Sequence, residues 1–111
     1  MMLLPKKFPK DADGRVLKML YKEGLDFNKP QQVEFIVAVP DEKNGELILK
    51  EVMKKGFTGT LEQDEEEEEW TCYCLVDMLL THEGVVDIQK QLDEISEPYE
   101  GYSDGWGVLI K

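Results

Sequence analysis

The chain has 111 residues, with 24 Asp and Glu against 13 Lys and Arg, giving a net charge of −11 at pH 7. That length is one domain, 1–111, and a hydrophobic content of 41% supports a packed core, which excludes disorder for most of the chain. Residues 1–60 hold eleven bases and nine acids, whereas residues 61–111 hold two bases and fifteen acids, so no direct nucleic-acid binding is expected of the second half.

Met1-Met2-Leu3-Leu4-Pro5-Lys6-Lys7 is too short an apolar run for a signal peptide, and no window approaches a membrane span. A cytoplasmic protein without membrane contact is expected, with residues 1–10 loosely ordered. Asp13 or Asp11 caps a first helix over 13–23, carrying Val16, Leu17, Leu20 and Tyr21 on one stripe and ended by Gly24. A connector through Asn28-Lys29-Pro30 leads into a strand, Val33 to Val39, rich in branched residues. Asp41 is the natural cap of a second helix that turns Leu47, Ile48, Val52 and Met53 toward the core. Asn44-Gly45 is a hairpin signal, which predicts a late start for this helix, near Glu46.

Phe57 to Gln63 alternates as a second strand with Phe57, Gly59 and Leu61 on one face. Six consecutive acids, Asp64 to Glu69, repel one another and form a solvated hairpin tip. Trp70 to Val76 returns as a third strand, with Trp70, Cys72, Cys74 and Val76 sharing one face. Thr81 caps a last helix whose stripe is Val85, Ile88, Leu92 and Ile95, with Pro98 stopping it and Tyr99 extending the stripe. Asp104 to Ile110 closes the chain as a strand with Trp106, Val108 and Ile110 on one face. The order is a helix and then βαββαβ. It predicts an α+β domain of the ferredoxin-like plait: a four-stranded antiparallel sheet with two helices on one face. The extra N-terminal helix is expected against an edge or the far face of the sheet.

The residue patterns offer little chemistry. His82 lies in the first turn of a helix, where the macrodipole disfavours a proton on the ring, and no nucleophile adjoins it. Asp77 interrupts an apolar strand near its end and reads as a cap or a cleft residue. A small enzyme built on Asp77, His82 and Asp104 is the least favoured reading. Cys72 and Cys74 read as small buried hydrophobes in a reducing compartment. Asp11-Ala12-Asp13-Gly14 begins like a calcium loop but lacks the remaining ligands, so neither metal nor cofactor is expected. Asp104-Gly105-Trp106-Gly107 is the most unusual tetrapeptide, and it reads as a core tryptophan between glycines that allow close backbone approach.

Several pieces together resemble the RraB family, the regulator of ribonuclease activity B or ribonuclease E inhibitor family. They are the first helix ending at Gly24, the connector Leu25 to Pro30, the strand Val33 to Val39 and the helix leading into Gly56-Phe57. The cysteine-containing strand before Asp77 and the terminal Tyr102-Ser103-Asp104-Gly105-Trp106-Gly107 complete the match. The resemblance implies a non-catalytic regulator that binds and inhibits a ribonuclease E-type endoribonuclease and modulates RNA decay. Members of that family tend to carry an acidic C-terminal tail, whereas here the acid run sits inside the predicted hairpin. Glu65, Glu66, Glu67, Glu68 and Glu69 are the expected partner-binding residues, steering a basic surface. The competing reading is a protein-interaction or homo-oligomeric module without a nuclease partner; a monomer or weak homo-oligomer is expected.

Overall fold

A computed structural model describes residues 8–109. The chain runs α1 (Ala12–Lys22), β1 (Gln31–Ala38), α2 (Glu42–Lys54), β2 (Thr58–Gln63), β3 (Trp70–Met78), α3 (His82–Ser96) with a 3-10 turn at Glu97–Tyr99, and β4 (Tyr102–Val108). The expectations for Met1 to Lys7 and Ile110 lie outside the described residues.

Each helix begins where a side chain accepts from the otherwise unpaired amides of the first turn. Asp11 accepts from the Gly14 N–H at 2.7 Å, Asp41 from Asn44 at 2.7 Å and Thr81 from Gly84 at 3.0 Å. Asp11, and not Asp13, is therefore the first cap, and Gly24 follows the helix in the left-handed region as expected. The second helix starts at Glu42, not near Glu46. Asn44-Gly45 makes no hairpin because the Gly45 N–H donates to the Asp41 carbonyl at 2.9 Å in the capped first turn. The glycine is needed there because a Cβ would stand 2.7 Å from a Leu61 methyl and 3.1 Å from a Val39 methyl. That glycine lets α2 lie close on the sheet, and the Asp41 cap holds the turn helical.

The four strands form one antiparallel sheet in the order β2-β3-β1-β4. Val33, Phe35 and Val37 of β1 and Cys72 and Cys74 of β3 are fully buried on one face, which the helices cover with Leu17, Ile48, Val52, Val85 and Leu92. Burying one such side chain contributes about 1.5–3 kcal/mol. Leu47 and Met53 depart from the expected core stripe: they are 38% and 57% exposed, because the helical period turns Ile48 and Val52 inward and their neighbours out. Tyr21 is also exposed, though its ring packs 5.9 Å from Phe8 and 6.0 Å from Phe27. From Trp70 to Val76 the third strand is buried or half-buried on both faces, and Asp77, near the end of the sheet, is exposed.

The helix α1 lies beside α3 at the β4 edge, within the helix layer and not on the far face. The last strand starts at Tyr102, two residues before the expected Asp104, because Glu100 takes a left-handed turn (φ 62°) and Gly101 follows it directly. Phe35 pairs with Trp106 but Val37 with Ser103, so β4 carries one residue more than β1 opposite it. This is a β-bulge, and Gly105, at φ +115°, supplies the backbone conformation that it needs.

Candidate functional site

The acid run is an organised turn. The Asp64 N–H donates to the Glu69 carbonyl and the Glu68 N–H to the Asp64 carbonyl, both at 2.8 Å. The Asp64 carboxylate accepts from the amides of Glu66 (2.8 Å) and Glu67 (3.2 Å), and the Gln63 amide donates to the Glu68 carbonyl at 3.2 Å. One acid of the six thus closes the turn through its short, backbone-seeking side chain. Glu65 to Glu69 are all exposed around it, beyond the end of the sheet.

Asp104-Gly105-Trp106-Gly107 has a structural explanation. The bulge turns Trp106 to the helix side, where its indole N–H donates to Asp13 Oδ1 at 2.8 Å. The other Asp13 oxygen accepts from the Gln89 amide of α3 at 3.1 Å. One carboxylate at the start of α1 therefore ties a helix and an edge strand together, and Trp106 itself packs on the core. Two residues earlier, Asp11 Oδ2 lies 2.8 Å from His82 Nε2. The Gly14 amide and then His82 hold the Asp11 carboxyl below its ordinary value. The sequence offers Asp11 and Asp13 as rival caps and as the opening of an incomplete calcium loop, and it does not single out Gln89. The available signal was the spacing of two acids, of which a helix needs only one as its cap.

The three residues of the enzyme reading are not assembled. Asp77 lines a cavity of about 540 Å³ with Gly24, Lys29 and Leu109, Asp104 lines a different one of about 460 Å³, and His82 lines neither. Its ring is occupied with Asp11. Cys72 and Cys74 are buried free thiols opposite Val37 and Phe35. The contact with Cys72, and then burial, push the Cys74 thiol far up, which opposes nucleophilic chemistry there. Among the described residues no group of three His, Cys, Asp or Glu side chains is arranged to hold a metal ion, and no helix is long and apolar enough to cross a membrane.

An antiparallel sheet covered by helices on one face, with separated polar residues and a hydrogen-bonded acidic turn, defines a small α+β domain that presents surfaces. A search of curated proteins finds no match. The family model for regulator of ribonuclease activity B matches residues 10–108, and the chain belongs to that family. It is a family of ribonuclease regulators, which implies a protein partner.

Proposed function

We propose that this chain is a non-catalytic cytoplasmic regulator that binds a ribonuclease E-type endoribonuclease and lowers its activity, thereby modulating RNA decay. The observation that carries the reading is the family match over residues 10–108. Glu65 to Glu69 support it: an exposed acidic turn attracts a basic RNA-binding segment from a distance, while apolar contacts supply residence time. The strand order β2-β3-β1-β4 supports a ferredoxin-like plait with α1 added at its β4 edge, all within one domain, 1–111. The buried free thiols suit a reducing compartment. The protein works as a monomer or weak homo-oligomer.

The test adds the purified chain in excess to a ribonuclease E-type nuclease cleaving a model RNA. A slower initial rate, together with a complex seen by size-exclusion chromatography, is the expected result. Unchanged cleavage with no complex would sink the reading.

A further inference from the structure

The helices cover one face of the sheet, and among the described residues no helix lies on the other. On that open face Ile36 pairs directly with Tyr73, Leu75 lies two residues along β3, and Tyr102 adjoins across Ala38. Tyr102 is 57% exposed and the other three are half-buried. A contiguous apolar row on an uncovered face marks an interaction surface.

The strands that form it carry one sign of charge, and Lys29 stands at its far end, where it lines a cavity with Asp77. None of the four strands contains Lys or Arg, while Glu34, Glu62, Asp77 and Asp104 punctuate them. The strand register sets Glu34, Glu62 and Asp77 on the open face. Every base between residues 8 and 109 lies in a helix or loop. At the β4 end the face opens into the cavity of about 460 Å³, walled among others by Glu68, Glu69, Trp70, Glu100, Tyr102 and Asp104. The hairpin, the cavity and the apolar row are thus continuous.

These charges select the occupant. A second copy would set acid against acid across the interface, and a phosphate backbone would be repelled. Carboxylates beside aromatic rings are complementary to Arg and Lys, whose heads pair with the acids while their stems or planes lie on the rings. We propose that the helix-free face, beyond the hairpin alone, docks a basic amphipathic segment of a partner protein. Its apolar side chains seat on Ile36, Tyr73 and Leu75, and an Arg or Lys enters the cavity beside Trp70 and Tyr102. The inference takes its kind of partner from the regulator reading and adds the surface.

The probe is a fluorescent synthetic peptide of alternating Arg and Leu, titrated against the full chain by anisotropy. The double variant Tyr73→Ser/Leu75→Ser is expected to weaken binding about tenfold or more, as loss of a hot spot does. Tyr102→Ser, at a position too exposed to endanger folding, is expected to weaken it about threefold, and Met53→Ser on the outer side of α2 to leave it unchanged. A peptide of equal charge alternating Lys and Ser should bind about tenfold more weakly. Wild-type affinity in both aromatic variants, equal binding of the two peptides, or a dimer in sedimentation that the double variant dissolves would each overturn the proposal; circular dichroism verifies that the variants fold. The nuclease assay separates this inference from the reading beneath it. A double variant that inhibits as well as wild type removes the surface and leaves the regulator. A wild type that does not inhibit, yet still discriminates the peptides, removes the regulator and leaves the surface.

Discussion

The carboxylates at the start of α1 and those of the β2–β3 hairpin are the same functional group put to opposite uses. Asp11 and Asp13 reach residues 71, 76 and 93 positions away, joining α1 to α3 and β4. The hairpin acids bond only within their own turn, at separations of two to five residues. Charge count alone does not distinguish them; what does is whether a partner exists that is already partly removed from water. A half-buried carboxylate facing an indole N–H is an obligation of the fold, whereas a glutamate in water is free to serve something outside it.

Breaking the connected set has the larger expected effects on stability. Trp106→Ala removes core packing and the donor to Asp13 together, and urea denaturation should register a loss of about 3 kcal/mol. Asp13→Ala leaves the indole N–H and the Gln89 amide without their acceptor and should cost about 2 kcal/mol. A double-mutant cycle with Trp106→Phe should then show that the two substitutions are not additive. Gly105→Ala forces a side chain into a positive-φ bulge and should cost about 1–2 kcal/mol.

Asp11 gives the comparison a pH axis. Its carboxyl is held below the ordinary aspartate value, so the stabilisation it brings is complete above that ordinary value and is lost as pH falls through the lower folded one. Asp11→Asn, which keeps a capping oxygen, should therefore differ from wild type in Tm above about pH 4, and the difference should close below it. The smallest effect on stability belongs to the hairpin. Replacing Glu65 to Glu69 by Gln should change stability by less than about 0.5 kcal/mol. The same change should slow association with a basic partner and flatten its salt dependence. A large loss of stability in this variant would erase the distinction between the two sets.

Much of this architecture is legible in local chemistry. Caps, stripes and strand alternation are properties of a few neighbouring residues, so Asp41, Thr81, Gly24 and the Val33 to Val39 strand can be read directly. What is hidden depends on residues far apart in sequence. Asn44-Gly45 looks like a turn until Leu61 and Val39 crowd the glycine. Asp13 looks like a cap until Gln89 and Trp106 arrive from the other end of the chain. Trp106 and Val108 were expected on one face, as found, but the bulge that brings them there depends on the pairing with β1. The exposed acidic turn was legible because charge repulsion acts locally; the open apolar face was not, because its residues come from three strands.

The extra residue in β4 has a consequence for Tyr102 and Trp106. In an uninterrupted strand, residues four apart point the same way, and both rings would have to be inside or outside together. With the bulge between them, one edge strand sends an aromatic ring in each direction, Trp106 into the fold and Tyr102 out of it. Deleting Gly105 would compel a choice. Whichever ring kept its place, the other would change sides, so a lesion of one residue would damage either the interior or the outward face and leave no register that serves both.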